Sequence, residues 1–266
     1  MSEQIESESK FLWKFLLKIL LTPVTFFLVL IGKKQFGELN EPFRMLFRFF
    51  FEAKVTAGLI IVNISIFIAT LFIGENFVMA FASYPQDMLS LRAYTLITSG
   101  FLHSGLAHLF GNMLALLIFG RVVERKLGSG RMALVYFGAL LISGIFSSLI
   151  DLFITGSRIP GVGASGAIMG LIAAAILLNP FYITYELIFP LPIMLVGWLT
   201  IYADITGIIN PTDDGIGHFA HLGGFLSVAL LVFILHQEDR ASMKKGLIIN
   251  LVSLAVFAAA YFLFLS

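Results

Sequence analysis

Residues 161–180 read GVGASGAIMGLIAAAILLNP and contain an apolar stretch of unusual length. Its apolar part, Ser165–Leu178, has 14 residues, which make ~21 Å of helix at 1.5 Å per residue. A bilayer core is ~30 Å thick, so this helix is too short to span it. If its end at Asn179 sits at one membrane face, Ser165 lies ~10 Å below the other. Irregular backbone at that depth must line a protein cavity or water, so the glycine-rich approach to Ser165 predicts a wet pocket inside the membrane.

The composition of the whole chain is that of a membrane protein. Of its 266 residues, 59% are hydrophobic and 12% are charged, and the mean hydropathy is +0.97. Soluble domains carry about 25% charged residues, roughly twice this fraction. The net charge of +1 provides no basic field that would attract nucleic acid. The chain has no cysteine, which excludes thiolate metal sites and a cysteine nucleophile.

Hydropathy predicts seven membrane crossings, one of which is the short stretch quoted above. They are Val55–Gly74, Leu106–Val123, Met132–Ile154, Ser165–Leu178, Leu191–Ile208, Gly217–His236 and Gly246–Leu265. Because lipid cannot satisfy free backbone N–H and C=O groups, each of these segments is expected to be helical.

Basic residues give the orientation. With the chain before Val55 on the cytoplasmic side, twelve Lys and Arg residues from Lys33 onward fall in cytoplasmic segments, and only Arg92 and Arg158 fall in outer loops. Cytoplasmic loops carry the excess of Lys and Arg, so this pattern predicts a cytoplasmic N-terminus and an external C-terminus. We expect a multi-pass integral membrane protein in the plasma membrane of a prokaryote.

The segment Phe11–Ile31 is apolar but has a polar side. Four polar residues fall on one helical stripe: Lys14, Lys18, Thr22 and Thr25. Pro23 interrupts the segment. A helix with one cationic stripe and a broad apolar face is typical of the membrane interface. The pattern therefore favours an in-plane cytoplasmic helix over an eighth crossing.

Ser165 is a candidate nucleophile. It begins a helix, where free N–H groups and the helix dipole favour negative charge such as that of an oxyanion. The same position also suits an ordinary N-cap. Likewise, Gly166-x-x-x-Gly170 is a common helix-packing motif. The tetrapeptide Gly163-Ala164-Ser165-Gly166 by itself is compatible with either interpretation.

A serine hydroxyl needs a base, and residues 217–224, GHFAHLGG, offer one. Three of these residues share one helix face at i, i+4 and i+7: Gly217, His221 and Gly224. Glycines on a face let another helix approach closely, and Gly166 and Gly170 provide the matching face beside Ser165. This pairing predicts that Ser165 Oγ lies within hydrogen-bond reach of a His221 nitrogen. For His218, a hydrogen bond to a backbone carbonyl is the favoured interpretation.

Further polar residues lie at the same predicted depth. His108 and Asn112 are one turn apart on the second crossing and, with the Ser165 amide, could form an oxyanion hole. The alternative is two polar residues that hold helices together. Asp204, near the outer end of the fifth crossing, is a candidate to orient the base, although an interfacial aspartate is the favoured interpretation. All these residues lie toward the outer ends of their crossings, which favours one shared catalytic site.

Taken together, these motifs resemble those of the rhomboid proteases. The matching stretches are Phe101-Leu102-His103-x4-His108-x3-Asn112, Gly163-Ala164-Ser165-Gly166 and Ala220-His221-Leu222-Gly223-Gly224. The connection Gly120-x3-Glu124-Arg125-Lys126-Leu127-Gly128-Ser129-Gly130 resembles the family's link between its second and third helices. The resemblance covers about Val55 to Leu235, and the combined pattern is far more specific than the tetrapeptide around the serine.

The resemblance implies a six-helix core, a Ser–His dyad and cleavage of transmembrane substrates. It assigns Ser165 as the nucleophile and His221 as the base. The oxyanion groups that it implies are His108, Asn112 and the Ser165 amide. The residues that it implies for helix packing at the site are Gly163, Gly166, Gly224 and Met169, the last at a position that is often aromatic in the family. The extra C-terminal helix resembles the six-plus-one arrangement of some members.

We therefore expect an all-α, polytopic membrane protein with a six-helix rhomboid-like core and a seventh transmembrane helix. The expected domains are a cytoplasmic segment, 1–54, a catalytic core, 55–236, and a linker with the seventh helix, 237–266. The expected function is that of an intramembrane serine endopeptidase without a cofactor or a metal, which acts in the bilayer on single-span transmembrane proteins. Two alternatives stay open: a catalytically silent scaffold, and a metalloprotein that uses His103, His108, His218 and His221.

Overall fold

The computed structural model describes residues 13–184, 191–211 and 215–264. Helices dominate these residues, and the predicted all-α, polytopic membrane fold is confirmed. Backbone contacts divide the chain into one compact unit that ends at Lys54 and a second that begins at Val55.

The first unit is a set of short helices. Helices α1 (Trp13–Leu20) and α2 (Thr22–Leu30) are bent by 50° relative to each other. Pro23 lies in the first turn of α2, where its missing N–H breaks no helical hydrogen bond. A 3₁₀ turn, Phe36–Asn40, leads into α3 (Glu41–Phe51). Phe11, where the predicted in-plane helix begins, lies outside the described residues, and the in-plane placement of this segment stays a prediction.

The second unit contains nine helices within its described residues. They are α4 (Lys54–Ile73), α5 (Glu75–Phe81), α6 (Thr95–Thr98), α7 (Leu106–Leu127), α8 (Ser129–Thr155), α9 (Ser165–Leu178), α10 (Ile193–Ile209), α11 (His218–Ile234) and α12 (Gln237–Phe264). Two short strands, β1 (Ile183–Thr184) and β2 (Leu191–Pro192), pair antiparallel between α9 and α10. Additional 3₁₀ turns cover Pro85–Leu89 and Ser99–Phe101.

Four helices in the described part of the chain are long and apolar enough to cross a membrane, or five if α1 and α2 form one bent span. The four are α4, α7, α8 and α12, and the shorter apolar helices α9, α10 and α11 correspond to the other three predicted crossings. Five predicted starts differ from the structure, and two of these differences have a visible physical cause. Helix α12 begins at Gln237 rather than Gly246, because its first turns are charged and helical, and Asp239 there pairs with Arg131. Helix α10 begins at Ile193, because Leu191 and Pro192 belong to β2.

Helix α9 forms the centre of the second unit. Every one of its 14 residues except Ser165 and Leu177 is buried. A helix that is apolar on all sides lies either in a protein core or in lipid, and the burial of this one places it in the core. Helices α8 and α11 pack along it, and α7, α10 and α12 also contact it. The short helix thus spans no lipid by itself but is enclosed by longer helices.

Glycine contacts set the spacing between α9 and α11. A Cβ atom added to Gly224 would lie 2.0 Å from the carbonyl oxygen of Gly166, and one added to Gly170 would lie 3.3 Å from the carbonyl oxygen of Gly224. On another side of α9, a Cβ at Gly166 would lie 2.2 Å from Ser143 Oγ of α8. No side chain fits between these backbones, so the two helices are in direct backbone contact.

Helix α12 is anchored to the central helix by polar contacts. Asn250 Nδ2 donates to the carbonyl oxygen of Ile176 at 2.9 Å, and Trp198 Nε1 of α10 donates to Asn250 Oδ1 at 2.8 Å. A Cβ at Gly246 would lie 1.8 Å from the carbonyl oxygen of Leu177. Close backbone approach and interhelical hydrogen bonds are the main forces that join helices in lipid. The seventh helix is therefore a packed part of the second unit.

The Gly166–Gly224 contact predicts that even a methyl group is not tolerated at position 224. The atom that it would meet is a backbone carbonyl, which can move only if a whole helix moves. We expect Gly224→Ala to lower the free energy of unfolding in detergent by about 3 kcal/mol, the upper end for overpacking. The matched control is Gly58→Ala in α4, where an added Cβ has no atom within 4 Å. Equal unfolding midpoints for the two variants would show that α9 and α11 do not touch.

Candidate active site

Ser165 is the first residue of α9 and is half-buried. Two residues earlier, Gly163 has φ +121°, a backbone conformation that L side chains rarely adopt. The Gly163 N–H donates to the carbonyl oxygen of Ser99 at 2.9 Å. The glycine thus turns the chain sharply before the helix, and Ser99 fixes this turn.

The loop between α4 and α7 also contacts the turn that precedes α9. Ser83 and Gly161 form an antiparallel bridge, with N···O distances of 3.1 and 2.8 Å. Within this loop, Arg92 Nε donates to Asp87 Oδ1 at 3.1 Å, and the Asp87 side chain is 6% exposed. Sequence patterns gave no sign of this support, because the bridge joins residues far apart in the chain through backbone atoms alone.

Two side-chain donors lie beside Gly163. A Cβ at Gly163 would be 2.7 Å from His108 Nε2 and 3.7 Å from Asn112 Nδ2. Asn112 Nδ2 is buried and has no hydrogen-bond partner within the described residues. The Ser104 N–H points at His108 Nδ1 at 3.4 Å, and Ser104 Oγ lies 3.0 Å from the same nitrogen. With Nδ1 as the acceptor of these bonds, Nε2 carries the proton. Helix α7 therefore presents two N–H donors at the turn that precedes Ser165.

His103 supports the ring of His108. The two rings pack edge to face with centroids 5.1 Å apart. Burial, and then the neighbouring His108, lowers the pKa of His103 to about 4. His103 is therefore neutral at physiological pH and adds no charge beside the two donors.

His221 lies in the first turn of α11, one turn before Gly224, the residue that meets the Gly166 carbonyl. A Cβ at Gly166, next to Ser165, would lie 3.6 Å from the carbonyl oxygen of Ala220, next to His221. His221 is also close enough to His108 for the two to interact electrostatically. Ser165 Oγ and His221 form no hydrogen bond in the described structure. Catalytic hydrogen bonds are often long in the free enzyme and tighten when substrate binds.

Asp204 and His218 complete the polar cluster. Asp204 is 5% exposed, and its Oδ1 lies 2.8 Å from His221 Nδ1 and 2.9 Å from His218 Nδ1. The sequence interpretation of Asp204 as an interfacial aspartate is therefore wrong, and a carboxylate, rather than a backbone carbonyl, is the Nδ1 partner of His218. One sequence signal could have predicted this pairing. An unpaired carboxylate inside a membrane crossing is costly, and two histidines were predicted at the same depth as Asp204.

The histidines form two groups rather than the four-ligand metal site that the metalloprotein alternative requires. His103 and His108 pack on each other, whereas His218 and His221 face Asp204. Among the described residues, Asp204, His218 and His221 are the one set of three whose ligand atoms all lie within 4.8 Å of one another. Any metal at this site would be held by that set and would compete with its hydrogen bonds.

The remaining packing residue of the resemblance, Met169, follows Ser165 by one turn and is buried. The cluster as a whole combines a hydroxyl at a helix N-terminus, an imidazole on a touching helix and two N–H donors on a third. Such a set suits attack on a carbonyl carbon and stabilisation of the oxyanion that results.

Residues 90–238 match the Rhomboid domain family. This stretch is more than half of the chain, and the protein belongs to the rhomboid family. It is 31% identical over 194 residues to RHOMBOID-like protein 12, mitochondrial, of Arabidopsis thaliana. The aligned residues cover 67% of this chain and 57% of the relative. With RHOMBOID-like protein 4 of Arabidopsis thaliana it is 36% identical over 145 residues, or 54% of this chain and 34% of that one.

A bacterial relative is matched over more of its length. The chain is 27% identical over 221 residues to the rhomboid protease GlpG of Klebsiella pneumoniae, which is 78% of this chain and 75% of that one. The family thus includes a protease. The chain covers 57% and 34% of the length of the two plant relatives.

Proposed function

We propose that this protein is an intramembrane serine endopeptidase with Ser165 as nucleophile and His221 as general base. The observation that carries the proposal is the meeting of three helices: α9 brings Ser165, α11 brings His221, and α7 brings two N–H donors to the same end of the second unit. The kinship with a rhomboid protease supports the same chemistry.

The proposed reaction is acyl transfer. His221 Nε2 takes the hydroxyl proton as Ser165 Oγ attacks the scissile carbonyl carbon. His108 Nε2–H, Asn112 Nδ2–H and the Ser165 amide hold the tetrahedral oxyanion. His221 returns the proton to the leaving amine as the peptide bond breaks, and water then hydrolyses the acyl-enzyme with His221 again as base. The reaction needs no cofactor.

The proposed substrates are single-span transmembrane proteins that reach the site through the bilayer; nucleic acid is not a partner. From Lys33 onward, twelve basic residues fall on one side and two on the other, so the site belongs to the outer half of the membrane in the proposed topology. We therefore propose cleavage near the outer membrane boundary of the substrate. A substrate helix hides its carbonyls in hydrogen bonds, so helix-weakening Gly or Pro near the cut should help. Small residues should suit the tight pocket.

We also propose the cellular setting and division of the chain. The protein is an integral membrane protein, and we place it in the plasma membrane of a prokaryote with the N-terminus in the cytoplasm. Residues 55–236 would form the catalytic core. Residues 1–54 would form a cytoplasmic segment at the membrane surface, and residues 237–266 a linker with the seventh helix.

Labelling by a fluorophosphonate probe tests the nucleophile and separates the protease from a silent scaffold. We expect wild type to be labelled, and Ser165→Ala to be unlabelled. His221→Ala should lose at least most of the labelling, because a serine hydroxyl without a base is a weak nucleophile. Ser147→Ala in α8 is the matched serine control and should be labelled like wild type. Equal labelling of Ser165→Ala and wild type would remove Ser165 from the mechanism.

Turnover of a transmembrane substrate tests the oxyanion donors. Loss of one donor of this kind typically costs about 10²–10³ in kcat, and we expect that loss for Asn112→Ala. His108→Ala should cost at least as much, because it also removes a ring that fills the space beside Gly163. Asn63→Ala replaces a buried asparagine of α4 and serves as the control. If both site variants turn over at the wild-type rate, His108 and Asn112 only hold helices together.

A further inference from the structure

One carboxylate oxygen serves both histidines of α11. Asp204 Oδ1 lies 2.8 Å from His221 Nδ1 and 2.9 Å from His218 Nδ1, and the Asp204 side chain is 7% exposed. The other oxygen, Oδ2, is buried and has no hydrogen-bond partner within the described residues. A buried carboxylate is costly unless it is hydrogen-bonded, so Asp204 depends on these two rings.

An ionised carboxylate only accepts hydrogen bonds, so the nitrogen that faces it must carry a proton. At His221 this nitrogen is Nδ1. In the neutral ring Nε2 then holds the lone pair, which is the form that can accept the Ser165 proton. Without an acceptor at Nδ1 the proton is free to reside on Nε2, and that form cannot act as a base through Nε2.

We infer that Asp204 is the positioning residue of the catalytic base: it fixes the ring of His221 and holds it as the Nδ1–H tautomer. This inference rests on the proposed function and extends the Ser–His dyad to a carboxylate–imidazole–hydroxyl series. The carboxylate also stabilises the imidazolium that forms when His221 takes the proton. Asp204 itself touches neither substrate nor the reacting atoms.

The opposite tautomer at His108 strengthens the argument. There, the Ser104 N–H donates to Nδ1, so the proton is on Nε2, which lies beside Gly163. The partner of Nδ1 therefore favours a different tautomer in each of the two imidazoles, His221 and His108. One provides an acceptor at Nε2 for the nucleophile, and the other provides a donor at Nε2 for the oxyanion.

His218 holds the carboxylate from its other side. Its ring packs on α10 so tightly that a Cβ at Gly207 would lie 2.2 Å from His218 Nε2. The ring therefore cannot move toward α10, and it keeps Oδ1 of Asp204 between the two histidines. The titratable groups around His221 are Asp204 from α10, His218 from its own helix and His108 from α7.

Kinetics with a transmembrane substrate give the first test. Asp204→Asn keeps the size and one acceptor but removes the charge, and Asp204→Leu removes the acceptor as well. We expect kcat to fall roughly 10²-fold or more in the first and further in the second, with KM little changed. In a serine protease triad the corresponding Asp→Asn change costs about 10⁴. Asp151→Asn, the same change at the end of α8, is the control and should leave kcat unchanged.

The ¹⁵N spectrum of histidine gives a second test that does not need activity. In Ser165→Ala protein labelled at histidine, we expect His221 as the Nδ1–H tautomer, and His221→Gln assigns its signals among the five histidines. Addition of Asp204→Leu should shift His221 toward the Nε2–H tautomer. The result is independent of proteolysis, so a failure of the proposed function and a failure of this inference can be told apart.

Three outcomes overturn the inference. The first is an unchanged His221 tautomer in Asp204→Leu. The second is wild-type kcat in an Asp204→Asn protein with a wild-type unfolding midpoint. The third is stoichiometric zinc in purified Ser165→Ala protein that disappears in Asp204→Asn, because the cluster would then be a metal site rather than a hydrogen-bonded base.

Discussion

The direct contact between the backbones of α9 and α11 is the constraint on which the rest of the site depends. Gly224 leaves room for the Gly166 carbonyl, and no larger residue would. In lipid, where apolar surface provides little force between helices, such close approach is what binds one helix to another. Ser165 directly precedes Gly166, and His221 lies one turn before Gly224. Separation of the helices by one methyl group would therefore remove the base from the hydroxyl without any change in either residue.

The shortness of α9 is the second constraint. Because its 14 residues cannot cross the membrane, the helix begins below one membrane face and the chain before it is irregular. Ser83, which both donates to and accepts from Gly161, and the Ser99 carbonyl, which accepts from the Gly163 N–H, satisfy that irregular backbone from the loop between α4 and α7. The same loop carries His103, which packs on His108. The start of α9 inside the membrane thus leaves space for polar side chains. It also explains why the neighbouring loop must cover the irregular backbone before Ser165.

The positions of most helices were predictable from the sequence, because membrane helices must be long, apolar and internally hydrogen-bonded. The bounds of α9 follow from Gly163 before it and Asn179-Pro180 after it, and the structure gives the same helix. Asp204 was misjudged for a physical reason: its partners lie on another helix, 14 and 17 residues later, and side-chain spacing within one helix does not reveal which neighbour it faces. The early start of α12 was missed because hydropathy marks the lipid boundary, whereas a helix continues as far as its hydrogen bonds and the Asp239–Arg131 pair allow.

The proposed serine protease activity can be measured with wild-type and Ser165→Ala protein in liposomes that also contain a panel of single-span proteins. Mass spectrometry of the products identifies each cut. Wild type should cut at least one member at a single bond near its outer membrane boundary, with small residues at the cut, and Ser165→Ala should cut none. Cleavage by Ser165→Ala at the wild-type rate, or a cut at the inner boundary, would contradict the assignment of a serine protease whose site opens to the outer half of the membrane.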